Sequence, residues 1–586
     1  MQKLIMLPIA PSSHLICWAA SLLALLNGGL ASPTPYRDQQ CIFPPPKING
    51  TDTRGAVASE SDICSKIGVQ IIAAGGSAAD AMVASTLCVG VVGMYHSGIG
   101  GGGFMLVRDE LGRYESIDYR ETAPAAATRD MYQNNTSSSV KGGLAVGVPG
   151  ELKGLEYLHK KYGRLPWKKV VMPAVSVARK GFKVTEDLVR YMESATASDN
   201  FLVNDPIWAV DFAPNGTLLK LGDLITRKRY ADTLEKIANQ GAEIFYSGEI
   251  AKSIVATTSN SNGILTLSDL SSYAIQLQPP LSIKFGPFNI FATPAPSSGA
   301  ITLSILQTLS QFTPSPPSSA DIIAHRITEA MKFAYGARAE LGDPKFMPNL
   351  TSYQALLLSP EYTASIRRQI LDNTTLPLAN YNPSSRFTPP TAGTSHIVTS
   401  DASGMTVSST TTINLLFGSK LMTPDTGIIL NNEMDDFSQP GKKNSFGYEP
   451  SPNNFIAPNK RPLSSITPLI VEHASNRSLY FTTGAAGGSR IISSTMQTAY
   501  HILSGETDKI YDAIRAPRLH HQLMPDVLNV EEGYDPSIYE SLKSKGHNVS
   551  WVAPGQSAVQ GLLRLWNGTF VAAGETRQLN SGGYAI

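Results

Sequence analysis

Cysteine is scarce in this 586-residue chain: Cys17, Cys41, Cys64 and Cys88 are the whole inventory. So few cysteines exclude a disulfide-scaffold protein, and the fold must rest on a buried core. Cys17 falls within an apolar leader, and Cys88, inside the run STLCVGVVG, reads as a small buried hydrophobe. That leaves Cys41 and Cys64 as a possible disulfide in an oxidising compartment. Neither sign of charge is in excess, because 48 Lys and Arg stand against 47 Asp and Glu for a net charge of +1. Without a basic surplus the chain lacks the electrostatic footprint of a nucleic-acid-binding protein. Long apolar runs are missing as well. The longest, Leu15 to Ala31, has 17 residues interrupted by Asn27, Gly28 and Gly29, where a spanning helix needs about 20. With Lys3 ahead of it and small residues at its end, it fits a secretory signal over residues 1–31, cut after Ala31. No His, Cys, Asp or Glu grouping has metal-ligand spacing, so no metal and no cofactor are expected. The cluster GIGGGG (98–103) lacks the Lys-Ser/Thr of a phosphate loop and runs into a strand-like segment. It reads as close backbone packing.

What is present is globular: 42% hydrophobic and 16% charged residues. Nine N-x-S/T sequons begin at Asn49, Asn134, Asn135, Asn215, Asn349, Asn373, Asn476, Asn548 and Asn567. Together with the leader they predict a secretory route, ending outside the cell, in the cell wall or in a vacuole. Helical periodicity marks 61–74, 152–162, 167–180, 230–240, 300–312 and 320–341, and the small-residue apolar stretch 78–92 suits a buried helix. Residues 371–393 have no periodicity and are rich in Pro, Asn and Ser, which predicts an exposed loop. Beyond it the chain turns to short β-prone runs, beginning with Thr394–Thr399 and Met405–Ile413. This order predicts α/β layers with packed antiparallel sheets, not a doubly wound parallel sheet.

The junction Gly393-Thr394-Ser395-His396 joins the aperiodic loop to the first of these strands. Alone the tripeptide reads as an ordinary loop-to-strand junction, but a threonine there also suits a self-cleaving nucleophile. Its hydroxyl attacks the preceding carbonyl, and cleavage frees an α-amine, of reference pKa about 7.7–8.0, that serves as base toward that hydroxyl. Downstream, STTTINLLFGSK (409–420), GIILNNEMDDFS (427–438), KRPLSSITP (460–468) and GAAGGSR (484–490) follow in order. Upstream stand GGSAADA (75–81), HSGIGGGGFMLV (96–107), IDYRETAP (117–124) and GVPGE (147–151). In this set and order the chain resembles gamma-glutamyltransferases of the eukaryotic type, also called glutathione hydrolases, over about residues 55 to 586.

The resemblance implies an N-terminal-nucleophile hydrolase with a four-layer αββα sandwich. It also implies a precursor that cuts itself between Gly393 and Thr394 into a large subunit (32–393) and a small one (394–586). Glutathione and other gamma-glutamyl compounds would be substrates, and water, amino acids or dipeptides the acceptors. Each block has its own chemistry. Arg120 offers a fork for a carboxylate, or a structural ion pair with Asp118 or Glu121; the family assigns it the glutamyl α-carboxylate. By resemblance Glu433 and Asp436 bind the α-amine with help from Asn414, and Ser464 and Ser465 reach the same carboxylate; two loop serines are otherwise a turn or cap. Gly487 and Gly488 could form an oxyanion hole. Thr412 is selected from Thr410, Thr411 and Thr412 only by its match to the family, where it hydrogen-bonds the nucleophile's hydroxyl. His396, two residues along the strand, reads as a packing or hydrogen-bonding residue. The stretch 438–460 resembles the lid-poor eukaryotic form, with Phe446 and Tyr448 left as possible partial covers.

Overall fold

The strands Ser395–Asp401 and Thr406–Thr412 pair antiparallel at the centre of the protein, and every residue of both is buried. A computed structural model describes the backbone of Ile48 and Asn49 and residues 53–312, 318–389, 393–444 and 447–586. The expected signal over 1–31, Cys41 and Phe446 lie outside the described residues. The central pair belongs to an eight-stranded sheet. Its order from one edge is Ile48–Asn49, Gly582–Ala585, Gly55–Ser59, Ser395–Asp401, Thr406–Thr412, Gly102–Arg108, Tyr114–Asp118 and Gln276–Gln278. A six-stranded antiparallel sheet runs Phe570–Ala573, Ala558–Arg564, Leu479–Ala486, Leu469–His473, Phe288–Ala292, Leu281–Phe285.

Strand alternation decides what fills each layer. Ala56, Ala58, Leu106 and Val398 turn inward and meet Ile470, Leu479, Leu562, Phe570 and Ala572 of the second sheet. Their neighbours Val57, Met105, Val107, Ile397 and Val407 turn outward onto helices that include Ala78–Val92, Trp167–Lys180 and Lys228–Gln240. Behind the second sheet lie Gly299–Leu309, Ala320–Arg338 and Arg490–Leu503. The result is the expected αββα sandwich. Helix Ala78–Val92 is buried all round, which follows from its near-uniform small and apolar side chains. In the Gly98–Gly103 cluster, a Cβ on Gly101 would stand 1.9 Å from the Thr412 carbonyl oxygen, so the backbones pack with nothing between them.

Three sequence expectations need correction. Cys64 does not pair with Cys41: it is bonded to Cys88. Cys64 lies on helix Asp62–Ala73 and Cys88 on helix Ala78–Val92, and the packing of these two helices faces the cysteines toward each other. Apolar surroundings made Cys88 look like an ordinary core residue, since periodicity says nothing about which helix lies opposite. Second, the mainly helical middle also contains the hairpin Leu281–Phe285 and Phe288–Ala292, an edge of the second sheet. Third, the 371–393 segment is not wholly exposed. Tyr381 is buried and donates to Glu329 at 2.5 Å. Among the described residues, no helix is long and apolar enough to cross a membrane.

The Cys64–Cys88 bond closes a loop with a sequence separation of 24. Chain-entropy arguments give such a crosslink about 3 kcal/mol. Non-reducing peptide mapping should recover these two cysteines in one linked fragment. A Cys64→Ser, Cys88→Ser variant should lose about 2–4 kcal/mol in denaturant unfolding.

Candidate active site

The central register sets the site. Ser395 lies opposite Thr411, so the residues one step beyond, Thr394 and Thr412, lie opposite each other. Thr394 is 6% exposed. Gly393 before it has φ +76°, and a Cβ there would stand 1.9 Å from the Asn414 carbonyl oxygen, so only glycine fits. The Thr412 hydroxyl donates to the Gly393 carbonyl oxygen at 2.7 Å and accepts from the Asn414 backbone N–H at 2.7 Å. The second bond fixes the hydroxyl so that its proton points at the carbonyl. The family resemblance placed Thr412 on the nucleophile's hydroxyl instead. With the Gly393–Thr394 peptide intact, the Gly393 carbonyl oxygen takes the proton.

The strand Leu479–Ala486 ends at Gly487 and Gly488, both in the left-handed region, before helix Arg490–Leu503 begins. The Gly487 N–H donates to Thr394 Oγ1 at 3.2 Å. His396 is buried, shares a hydrogen bond with Thr410 Oγ1 at 2.8 Å, and packs its ring on Gly484 of the facing sheet. Burial pushes its pKa down to about 3, which keeps it neutral as a spacer between the sheets.

Arg120 follows the strand Tyr114–Asp118 and is 1% exposed. One arm of its guanidinium pairs with Glu433, the other with Asp436, and Nε lies 3.4 Å from the Pro462 carbonyl oxygen. Both acids sit on the short 3-10 turn Glu433–Asp436. Asp118, offered by sequence as an Arg120 partner, instead pairs with Arg461 at 3.2 Å and accepts only the Arg120 backbone N–H. Asp435 points away and accepts from Ser139 at 2.6 Å. Burial raises the pKa values of Glu433 and Asp436, and the Arg120 charge opposes it. Glu121 makes no side-chain hydrogen bond among the described residues, and burial pushes it up to about 8.

Asn414 links this cluster to the threonine pair, because its side chain donates to the Asn432 carbonyl oxygen at 3.0 Å, next to Glu433. Ser464 and Ser465 are buried. Ser464 Oγ accepts from the Ile466 N–H at 3.2 Å, and Ser465 Oγ accepts from Arg338 at 3.1 Å. Two residues of this framework escaped the sequence reading. Arg338 sits in the last turn of a helix read only for its period. Asn454 joins the acidic turn to the serine loop, donating to the Asp436 carbonyl oxygen at 2.7 Å and accepting from the Leu463 N–H at 2.9 Å. It lies in the stretch considered only as a lid, where the half-buried Tyr448 does not line the cavity. That cavity, of about 560 Å³, opens beside Gly393, Thr394 and Gly487. The three ligand-type side chains His325, Glu329 and His547 also cluster, away from Thr394, in the core behind the second sheet.

An αββα sandwich whose central strand is preceded by a threonine, with the Gly487 N–H on its hydroxyl, defines the class of N-terminal-nucleophile hydrolases. Comparison narrows the class. A family model described as gamma-glutamyltranspeptidase matches residues 64–584. The glutathione hydrolase proenzyme of Arthroderma benhamiae is 50% identical over 549 residues, covering 91% of this chain and 93% of the relative. The glutathione hydrolase of Aspergillus flavus is 45% identical over 575 residues, covering 97% and 93%. Among solved structures, a cephalosporin acylase from Bacillus halodurans superposes with TM-score 0.81 at 25% identity over 94% of this chain and 100% of its own. The gamma-glutamyltranspeptidase of Pseudomonas nitroreducens complexed with L-DON gives TM-score 0.50 at 32% identity, covering 55% of this chain and 96% of its own. The chain belongs to the gamma-glutamyltranspeptidase family.

Replacing Arg120 with Met leaves two buried acids without their cation, which should cost about 3–5 kcal/mol of stability. Burial then acts alone and holds their folded pKa values above the unfolded ones. The folded state binds the extra protons, so stability falls as pH rises through that interval. The deficit of R120M relative to wild type, measured by urea unfolding, should therefore shrink between about pH 7 and about pH 5.

Proposed function

We propose that this protein is a glutathione hydrolase and gamma-glutamyltransferase that matures by cutting itself between Gly393 and Thr394. The observation that carries this reading is the Thr412 hydroxyl on the Gly393 carbonyl oxygen at 2.7 Å, beside a Thr394 hydroxyl held by Gly487 at 3.2 Å. Thr394 Oγ1 adds to the Gly393 carbonyl carbon, and the developing oxyanion keeps the Thr412 proton as its donor. The C–N bond breaks as the Thr394 hydroxyl proton passes to the departing nitrogen, the acyl group rests on Thr394 as an ester, and water releases it. The large subunit then ends at Gly393, and the small one begins with Thr394 bearing a free amine.

In the mature enzyme that amine takes the proton from the Thr394 hydroxyl as the latter attacks the gamma-carbonyl of the substrate. The Gly487 and Gly488 N–H groups receive the oxyanion, the peptide portion leaves with the proton, and a gamma-glutamyl ester remains. Water or an acceptor amine then takes the glutamyl group. Arg120, with Ser464 and Ser465, receives the substrate's α-carboxylate, while Glu433, Asp436 and Asn414 receive its α-ammonium. In the free protein Arg120 and the two acids bind each other. A zwitterionic amino-acid end exchanges partners with both signs at once, so no buried charge is left alone. An acyl group that carries a carboxylate but no ammonium offers nothing to the acids. That difference favours a gamma-glutamyl substrate.

The route is secretory in this reading. All eight sequon asparagines among the described residues, from Asn134 to Asn567, are exposed and open to glycosylation. Endoglycosidase treatment of protein from a eukaryotic host should increase its gel mobility, and unchanged mobility would count against the route.

Denaturing electrophoresis should show two bands, the smaller beginning at Thr394. Thr394→Ala should remain one chain. Thr412→Ala should cleave at least about 100-fold more slowly, the typical loss of an oxyanion donor, and Thr412→Ser should restore much of the rate. A single intact wild-type chain, or a T412A precursor maturing at the wild-type rate, would overturn the mechanism.

A further inference from the structure

The cavity beside Thr394 has a lining of one sign. Lys420, Arg490 and Arg577 contribute to it, and no aspartate or glutamate does. Arg577 is neutralised by Glu531 at 2.5 Å and Glu575 at 2.9 Å. The other two cations hold only neutral partners. Lys420 Nζ donates to the Ala195 carbonyl oxygen at 3.3 Å and lies 4.8 Å from the centre of the Phe201 ring. Arg490 donates to Asn529 Oδ1 at 2.7 Å. Asp199, an acid in the neighbourhood of Lys420, is bound to Lys141 at 2.6 Å. Lys420 also sits in the left-handed region at φ +56°, as do Asn414 at +68° and Phe417 at +60° in the same loop. A non-glycine residue there costs of order 1 kcal/mol, and such strain is retained mainly where geometry serves a function.

Two cations with no acid of their own in a cavity at the nucleophile, the Glu531 charge that reaches Arg490 being already bound to Arg577, call for an anion. The substrate's charge count supplies one. The glutamyl end of a gamma-glutamyl peptide carries one ammonium and one carboxylate, both matched by the Arg120 cluster. The peptide on the far side of the scissile bond keeps a second carboxylate. We propose that Lys420 and Arg490 form the subsite for that carboxylate, in the departing peptide and in any amino acid or peptide acceptor that replaces it. This inference rests on the gamma-glutamyl reading above. It makes the enzyme selective for leaving groups and acceptors with a free carboxylate over neutral amines.

The test compares three donors on the matured enzyme: glutathione, glutathione with its glycine carboxylate converted to the amide, and gamma-glutamyl-p-nitroanilide. Wild type should prefer glutathione to the amide by about tenfold or more in kcat/KM, as loss of a charge-assisted contact predicts. Lys420→Met and Arg490→Met should each collapse that ratio toward one, through KM for glutathione. Lys420→Arg should restore much of it. Self-cleavage of each variant reports that it is folded. Equal losses on glutathione and its amide, or a ratio unchanged in both variants, would overturn the subsite while leaving the gamma-glutamyl reading intact. A wild type inactive on all three donors would overturn that reading and the subsite with it.

Discussion

Everything at the catalytic centre depends on one hairpin, the pairing of Ser395–Asp401 with Thr406–Thr412 in a position buried on both faces. Its register opposes Ser395 and Thr411 and so brings Thr394 to Thr412. Burial makes this register expensive to break, because hydroxyls that lose partners in a dry interior remain unpaired. The strand TVSSTTT meets that demand residue by residue. Ser409 bonds Tyr119 at 2.8 Å, Thr410 bonds His396 at 2.8 Å, and Thr411 bonds Glu151 at 2.7 Å. Thr412 finds its acceptor on the peptide carbonyl before Thr394. A slip by one residue would turn every one of these side chains to the other face.

The charged groups obey the same constraint of burial. Arg120, Glu433 and Asp436 are all nearly inaccessible, and a charge there persists only with its counter-charge. On the proposed reading, the self-paired cluster would exchange these internal partners for the ammonium and carboxylate of a zwitterion. The cavity beside Thr394 is lined differently, by Lys420, Arg490 and the acid-paired Arg577, with no aspartate or glutamate in its wall. On the proposed reading, the contrast between this cavity and the Arg120 cluster matches the charges on the two sides of a gamma-glutamyl scissile bond.

Local pattern carried much of the sandwich. Helix Trp167–Lys180 has the bounds that its periodicity predicts, Ala78–Val92 those of its small apolar stretch, and the central strand begins at Ser395, one residue after the β-prone run that composition starts at Thr394. The hairpin at 281–292 was missed because Leu281–Phe285 is an edge strand and both strands carry partly exposed, irregularly alternating residues beside Pro279-Pro280. Arg338 and Asn454 were missed because a buried polar residue that braces a loop has the same spacing as any other helix or loop residue.

By itself the sequence determined mixed α/β layers with packed antiparallel sheets, the glycine before Thr394 and the inventory of acids, serines and arginine available to a site, through periodicity, composition and backbone sterics, while the αββα order came only through the resemblance of its ordered motifs to a known family. Only the tertiary structure decided the partners. It bonded Cys64 to Cys88, gave Arg120 to Glu433 and Asp436 instead of Asp118, and aimed Thr412 at the Gly393 carbonyl. Pairing in a folded chain depends on which surfaces packing brings within about 3 Å, a distance set by elements hundreds of residues apart and invisible to any local pattern.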